Sequence, residues 1–320
     1  MNLLIERMQN FTLDRKVLSV DSNDRDINKW PNPANFEVSC PQNYINIESI
    51  RLLNISTPSI FYNISESLQN NKMTVNNTTI SIEDGYYDIS NLVIVLRKKL
   101  KAKNSNFDII HNIINNKIYF TSTSDFSFNF SEIHSYNIEC NNYNNVSTQH
   151  SNWGLGYILG FKEKKIYNSI VASSDIGNEF IYDETFVSPS YYIKPEHMHN
   201  LDETNFIYVE IEKLNNSDEL EPYLVNRFTN VNNGKINSFF AKIPIVKSSD
   251  NQNLSVKDFF IESYSFFQPP LEKLSKIKIK LRYHNGMIID LHNHNVSLTL
   301  EINQIRNELK DYKVRTPYTY

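Results

Sequence analysis

The chain has 320 residues, a net charge of −4, 40% hydrophobic residues and 12% aromatic residues. This length predicts about two domains, the aromatic content indicates a folded core, and the slight acidity argues against a globally basic nucleic-acid coat. Two cysteines, Cys40 and Cys140, exclude a disulfide framework and a four-cysteine zinc site. We do not expect secretion, because Glu6 and Arg7 interrupt the apolar stretch that a signal peptide needs. We do not expect a transmembrane helix either, because no apolar run reaches about 18 residues.

Asparagine is abundant and glycine is scarce, with 45 Asn and 7 Gly residues. Turns that need a left-handed backbone conformation usually take glycine, and asparagine tolerates that conformation better than other side chains. We therefore predict that asparagine occupies many of the left-handed positions in this protein.

Strand patterns are frequent along the chain. The segment 36–40 places Phe36, Val38 and Cys40 on one face and is flanked by prolines, which is typical of a short strand or a strand start. Alternating or β-branched apolar residues predict further strands over residues 45–56, 126–130 and 205–213.

One segment has the pattern of an amphipathic helix. Ser90 is a plausible N-cap, and apolar residues at helical spacing follow it, namely Leu92, Val93, Leu96 and Leu100. The segment ends in lysines and an arginine, which the helix dipole favours at that end. A second helix is an option over residues 300–312, whereas the even-numbered apolar residues of 296–302 favour a strand.

The segment 276–291 is predicted to form a β-hairpin around an Asn-Gly pair. A three-residue loop, with the glycine as a bulge, pairs Leu281 with Ile289 and sets Lys280 opposite Asp290. A two-residue loop pairs Leu281 with Asp290 and mixes apolar with polar residues, so we prefer the longer loop. The apolar residues then change parity, which predicts a bulge or bend within residues 292–295.

Short strands, one helix and polar loops predict a mainly β fold, a jelly-roll-like antiparallel β-sandwich with an inserted α+β module. Because the strongest strand signals lie at both ends, we assign 18–65 plus 200–305 to the sandwich and 66–199 to the inserted helix-plus-strand module and its loops. Residues 1–17 and 306–320 are predicted to be N-terminal and C-terminal arms. Two separate sandwiches, divided near 165–200, are the alternative.

Three segments carry partial signatures of chemistry, and each has a simpler explanation. The glycines of 154–160 miss the nucleotide-binding pattern and fit a tight apolar turn. His292 and His294 copy part of a cupin metal motif, but Glu301 is too distant and of the wrong parity. The acidic segment 21–26 lacks the glycine of a calcium loop and fits a turn whose Asp side chains cap backbone N–H groups. We therefore predict no enzyme, no cofactor and no metal site.

Two surfaces are candidates for protein contacts. A basic stripe, Lys276, Lys278, Lys280 and Arg282, lies on one strand face; it is either a solvated face paired with acids such as Glu210 and Glu212 or a contact for an acidic protein or anionic lipid. The C-terminal arm is either a frayed tail or an interface segment, because it is rich in the residue types of interface hot spots, Tyr312, Arg315, Tyr318 and Tyr320.

An ordered series of segments resembles the minor capsid and penton-type structural proteins of nucleocytoplasmic large DNA viruses. The series covers most of residues 18–302, and its parts are LSVDSNDRDINKWPNPANFEVSCP (18–41), IESIRLLNISTPSIFYNI (47–64), GYYDISNLVIVLRKKL (85–100), KIYFTSTSDFSFNF (117–130), LGYILGF (155–161) and FFQPPLEKLSKIKIKLRYHNGMIIDLHNHNVSLTLEI (266–302).

This resemblance implies a jelly-roll virion protein that stabilises an icosahedral capsid through protein–protein contacts. The implied partners are the major capsid protein, other minor capsid proteins and further copies in a pentamer or trimer, near a viral inner membrane and without specific nucleic acid. The implied location is the virion, assembled in the host cytoplasm. A receptor- or glycan-binding virion protein is the alternative, followed by a cupin-like metalloenzyme.

Overall fold

The computed structural model describes residues 11–58, 61–68, 70–130, 154–163, 166–172, 191–201, 206–219, 237–245, 253–257, 264–283 and 288–307. The chain divides into two compact units. The first, which we call the split unit, comprises residues 1–60 and 205–320, and the second, the inserted unit, comprises residues 61–204. The sequence had suggested boundaries after residues 65 and 199.

The described residues form seventeen strands, two α-helices and one 3-10 turn, which spans Ser22–Asp24. In chain order the elements are β1 (Phe11–Asp21), β2 (Asn35–Pro58), β3 (Lys72–Val75), β4 (Thr78–Ser81), α1 (Ile89–Lys103), β5 (Asp108–Asn112), β6 (Lys117–Ser122), β7 (Ser127–Asn129), α2 (Leu155–Ile158), β8 (Ile166–Asn168), β9 (Ile170–Val171), β10 (Tyr191–Ile193), β11 (Phe206–Ile211), β12 (Ser217–Glu219), β13 (Asn237–Phe239), β14 (Ala241–Pro244), β15 (Asn253–Lys257), β16 (Tyr264–Arg282) and β17 (Ser297–Asn307).

The split unit is built on a seven-stranded antiparallel sheet in the order β1-β17-β2-β16-β11-β14, with β15 also paired to β2. β2 and β16 are long, and the pairing between them shifts register twice, between Phe266 and Leu271 and between Leu274 and Lys276. Such irregularities bend strands and increase their twist. The predicted mainly β, antiparallel class is confirmed, and the long bulged strands fit the expected jelly-roll-like sandwich.

Alternation along the strands creates the core of this unit. In β1, Leu18 and Val20 are buried while Leu13 and Val17 are exposed, which is the period-two pattern of a strand with one covered face. β17 and β2 add aliphatic side chains to the same core, namely Leu298, Leu300, Ile302, Ile50, Leu52 and Ile55.

Three predictions about the chain ends are wrong. The N-terminal arm was expected to reach residue 17, but β1 begins at Phe11 and pairs with β17 over eleven residues. The C-terminal arm was expected from residue 306, but Arg306 lies in β17. The optional helix over 300–312 is a strand as far as Asn307, because pairing with strands on both sides outweighs the local preference.

The predicted hairpin register is correct, but the hairpin is short. Arg282 forms an antiparallel bridge with Ile288, and the Ile289 N–H donates to the Leu281 carbonyl at 3.1 Å, both of which belong to the three-residue register. The pairing goes no further, because β16 is paired with β2 and β11. Lys280 accordingly lies opposite Glu210 rather than opposite an aspartate beyond the loop.

The inserted unit is an α+β module, as predicted. Two four-stranded antiparallel sheets, β4-β3-β7-β8 and β5-β6-β10-β9, share one core with α1. α1 buries the four apolar residues that predicted it, but its N-cap is Asp88 rather than Ser90, because the Asp88 carboxylate accepts from the Asn91 N–H at 2.7 Å. Aromatic rings fill the rest of the core, with Phe128 4.8 Å from Phe120 between ring centroids.

Asparagine does occupy left-handed positions. Seven non-glycine residues in the described part of the chain have positive φ. Five of them are asparagines, namely Asn46, Asn76, Asn77, Asn116 and Asn293. His292 is also among the seven and adjoins Asn293, so the predicted bend within residues 292–295 is a turn with two left-handed residues.

Candidate interaction surface

The basic stripe of β16 lies between two strands that carry glutamates. Lys276 Nζ is 3.2 Å from Glu37 of β2, and Lys280 Nζ is 3.4 Å from Glu210 of β11. Lys278 Nζ is 3.7 Å from Glu212, just beyond the end of β11. Four cations therefore face three carboxylates, which leaves a net charge of +1. The stripe has the paired arrangement that was the simpler of the two sequence interpretations.

Arg282 differs from the three lysines because it is buried, with 2% of its side chain exposed. Its guanidinium is paired with Glu210, donates to the Tyr283 carbonyl at 3.2 Å and lies 4.9 Å from the centre of the Tyr208 ring. A buried charge needs such partners, because desolvation alone is strongly unfavourable. Burial also raises the pKa of Tyr283, helped by the nearby charge of Asp290, so this phenol remains protonated.

A cleft of about 580 Å³ opens beside the stripe in the split unit. Trp30 forms part of its wall, with the ammonium groups of Lys29 and Lys278 5.4 and 5.2 Å from the ring centre. The remaining lining is mixed, and its members are Leu18, Ser19, Val20, Asp24, Asp26, Glu37, Val38, Ser39, Cys40, Pro41, Lys276 and Ile277.

The turn that carries Trp30 is fixed by side-chain hydrogen bonds to the backbone. Asp21 accepts from the Asn23 N–H at 2.8 Å, and Asp26 accepts from the Asn28 N–H at 3.0 Å. Arg25 donates to the Trp30 carbonyl at 2.9 Å. The predicted turn with capping aspartates is confirmed for residues 21–26, and these contacts hold the indole at the cleft.

The titratable side chains of the cleft are paired, protonated or at its rim. Burial raises the pKa of the Cys40 thiol, which keeps it protonated and a weak nucleophile at neutral pH. Glu37 is already paired with Lys276, and Asp24 and Asp26 lie at the solvent-exposed rim. A half-buried indole with flanking charges can receive aromatic or charged side chains of another chain.

A second charged cluster joins β1, β17 and β2. The Glu301 carboxylate of β17, with 5% of its side chain exposed, is paired with Arg15 of β1 and with Arg51 of β2 at 3.1 Å. Asn303 donates to Glu301 at 3.2 Å and to Ser49 at 3.1 Å. Burial raises the pKa of Glu301, but the hydrogen bonds from Arg51, Asn303 and Arg15 outweigh it, so that pKa lies below its ordinary range.

The histidines of the cupin-like motif do not have the geometry of metal ligands on a strand. His292 lies in the left-handed turn and its Nδ1 is 3.5 Å from Asp290, while the N–H of His294 closes the turn to the Leu291 carbonyl at 2.8 Å. The described residues contain no group of three His, Cys, Asp or Glu side chains that could hold a metal ion.

The glycine segment 154–160 forms an apolar turn, as predicted. It contains the short helix α2 and buries Leu155 and Leu159. Gly160 has φ +95°, and a Cβ placed there would lie 2.2 Å from the His197 carbonyl oxygen. The glycine is therefore required for a close backbone approach and not for a phosphate.

Of the remaining charged and aromatic segments, the structure describes the basic end of α1 but not the C-terminal residues. Tyr312, Arg315, Tyr318 and Tyr320 lie outside the described residues. The basic cluster of α1 is partly paired within the inserted unit, with Arg97 Nε 2.7 Å and Lys101 Nζ 3.5 Å from Asp108. No helix in the described ranges is long and apolar enough to cross a membrane.

One surface of the split unit was missed from the sequence. β1 is an eleven-residue strand at the edge of the sheet, with Leu13, Arg15 and Val17 exposed. The signal was weak because Asp14 and Lys16 lie on the side of the strand that buries Leu18 and Val20. Only the alternation of Leu13 and Val17 with those charged residues could have indicated it.

No protein-family model and no curated protein matches this chain. Among solved structures, it is similar to the mavirus penton protein, with a TM-score of 0.44, 7% identity and coverage of 92% of this chain and 100% of that one. It is also similar to a chain of the Sputnik virophage, with a TM-score of 0.40, 10% identity and coverage of 94% and 99%.

Proposed function

We propose that this chain is a virion structural protein, a minor capsid or penton component that stabilises an icosahedral capsid through protein–protein contacts and catalyses no reaction. Its partners in this proposal are the major capsid protein, other minor capsid proteins and further copies of itself in a pentamer or trimer. It acts in the virion, which is assembled in the host cytoplasm, close to a viral inner membrane.

The observation that carries this proposal is the position of the segments that resemble the capsid family. Segments 18–41 and 47–64 contribute to β1 and β2, and segment 266–302 contributes to β16 and β17, more than 200 residues later. These four strands are neighbours in one sheet. Unrelated chance matches have no reason to become neighbours in space, whereas segments of one ancestral sheet do.

The chemistry of the split unit supports a binding role. Its basic stripe and the Glu301 cluster are paired within the unit, and the cleft presents an indole rather than an acid–base pair. The terminal segments add a second mode of contact. Phe11 of β1 lies opposite Asn307 of β17, so residues 1–10 and 308–320 leave from one end of the same strand pair. We propose that both are arms, with Tyr312, Arg315, Tyr318 and Tyr320 contacting neighbouring proteins.

The test is to locate the chain in purified particles. Quantitative mass spectrometry should find it at a fixed copy number relative to the major capsid protein after nuclease and high-salt washing, and a cryo-EM map should place it in the shell. A chain that is abundant in infected cells but absent from washed particles would contradict the proposal.

The arms are tested by deletion of residues 308–320, which leaves β17 complete. Incorporation into particles should fall, while the thermal unfolding midpoint of the soluble chain stays unchanged. A control chain that replaces the four interface residues of this segment by alanine at full length should show the same loss. Normal incorporation of both variants would remove the C-terminal arm from the proposal and leave the virion role standing.

A further inference from the structure

The strands at the two ends of the main strand order, β14 and β1, are very different. β14 is four residues long, ends in Pro244, and carries Lys242, whose Nζ lies 4.1 Å from the centre of the Phe206 ring. Short length, lysine and proline are the devices by which natural proteins prevent edge strands from pairing with other chains. The β14 edge is therefore protected against pairing with another chain.

The β1 edge carries charged side chains, including Lys16, but it is neither short nor interrupted by proline. The strand is eleven residues long, contains neither proline nor glycine, and pairs with β17 in one uninterrupted register. Leu13 and Val17 are 51% and 59% exposed on the same face. Among the described residues only β17 pairs with β1, and the unpaired backbone groups of an edge strand are a template for a further strand.

We propose that β1 pairs with β1 of a second copy of this chain, antiparallel and across a two-fold axis. Alternate residues of a strand point their N–H and C=O groups to the same edge. Self-pairing therefore requires residues of equal parity to lie opposite each other, and only registers centred on a residue are allowed. The choice is then among a few centres along β1.

Centring the axis on Arg15 places complementary side chains opposite each other. Leu13 then faces Val17 of the second copy, and Asp14 faces Lys16 of the second copy, each twice by symmetry. Centring on Asp14 instead sets Leu13 opposite Arg15, and centring on Lys16 sets Asp14 opposite a leucine. Apolar pairs and pairs of opposite charge stabilise a strand pair, so the Arg15 register is favoured.

The arginine on the axis is compensated within each copy. Arg15 is paired with Glu301 of β17, which neutralises the charge that would otherwise repel its symmetry mate. Leu13 and Val17 then contact each other across the pair, and residues 11–19 form backbone hydrogen bonds with the second copy. The pairing rests on the geometry of one sheet and is independent of the virion role. It differs from the interface that closes a ring of three or five copies, because a two-fold contact joins copies in pairs.

The first test is the mass of the purified chain in solution. Sedimentation should find a concentration-dependent dimer. Val17→Lys should weaken dimerisation roughly ten-fold or more, because both copies of a two-fold dimer carry the substitution. Ile45→Lys is the matched control, since Ile45 is 54% exposed on an interior strand of the same sheet. A wild-type monomer, or an oligomer unaffected by Val17→Lys, would overturn the proposal.

The second test reads the register directly. In a Cys40→Ser/Cys140→Ser background, Leu13→Cys with Val17→Cys should form disulfide-linked dimers on mild oxidation. Leu13→Cys with Ser19→Cys should not, because that pair is opposed only in the register centred on Lys16. The reverse result, or no cross-linked dimer with either pair, would overturn the register.

Discussion

The split unit and the inserted unit are stabilised in different ways. The split unit relies on strands of up to 24 residues, and its charged side chains are paired between neighbouring strands, as in the Glu301 cluster and the basic stripe. The inserted unit has strands of at most six residues around a fifteen-residue helix, and contacting aromatic rings fill its core. The first unit depends on long-range register and the second on packing.

This difference predicts where each unit is vulnerable. A core packed with rings loses most when a ring is removed, because the cavity cannot refill. A sheet whose strands are joined by ionic groups loses most when a buried charge is left without its partner, and it responds to pH. The following changes test the distinction, from the largest expected effect to the smallest.

Phe128→Ala should destabilise the inserted unit by about 3–5 kcal/mol, since Phe128 is fully buried and its ring contacts Phe120 and Phe126. Urea unfolding followed by circular dichroism measures the loss. Phe266→Ala removes an equally large ring that is 68% exposed and should cost about 0.5 kcal/mol or less. Similar losses for the two variants would show that ring packing does not dominate.

Glu301→Ala should destabilise the split unit by about 3 kcal/mol, because Arg51 then keeps a largely buried charge without its carboxylate. The matched control is Glu37→Ala. Glu37 is paired with Lys276, which is 61% exposed, and such pairs contribute about 0.5 kcal/mol. Chemical denaturation at neutral pH compares the two, and a Glu37→Ala loss as large as that of Glu301→Ala would contradict the assignment.

The Glu301 cluster should also make stability depend on pH. The folded-state pKa of Glu301 lies below the unfolded-state value of about 4.3. Its contribution is therefore complete above that pH and is lost as the pH falls through the folded-state pKa. Unfolding free energies measured between pH 6 and pH 3 should fall more steeply for the wild type than for Glu301→Gln, and parallel profiles would exclude this carboxylate as the source.

Lys276→Ala should change stability least, by about 0.5 kcal/mol or less, because its pair with Glu37 is open to solvent and screened by salt. Denaturation at low and high salt should show the small difference disappear as salt increases. A persistent loss at high salt would mean that the stripe contributes through packing along the lysine stem rather than through charge.

Local patterns were sufficient where a feature depends on near neighbours. The helix α1 was predicted from the spacing of Leu92, Leu96 and Leu100, although its cap lies two residues earlier, because an aspartate can accept the same backbone bond as a serine. The hairpin register was predicted by keeping one face apolar. The antiparallel bridge between Arg282 and Ile288 confirms that register.

Predictions failed where a distant strand decides the outcome. Residues 11–17 were assigned to an arm because they lie outside the predicted strand pattern of the core. The pairing partner that makes them a strand lies almost 300 residues away. The candidate surfaces were affected in the same way. The stripe was visible in the sequence, but its pairing with Glu37 was not, because those residues are separated by 239 positions.

The sequence by itself determined the class of fold, the helix, the turns that asparagine occupies and the absence of a complete metal or nucleotide motif. These follow from residue type and short-range spacing, which act over a few neighbouring residues. The tertiary structure alone decided which strands meet, which charges are neutralised, where the Trp30 cleft opens and that β1 lies at the end of the strand order. Those properties depend on pairing across the sheet, and β-sheet pairing is set by the combined burial of many strands rather than by any one of them.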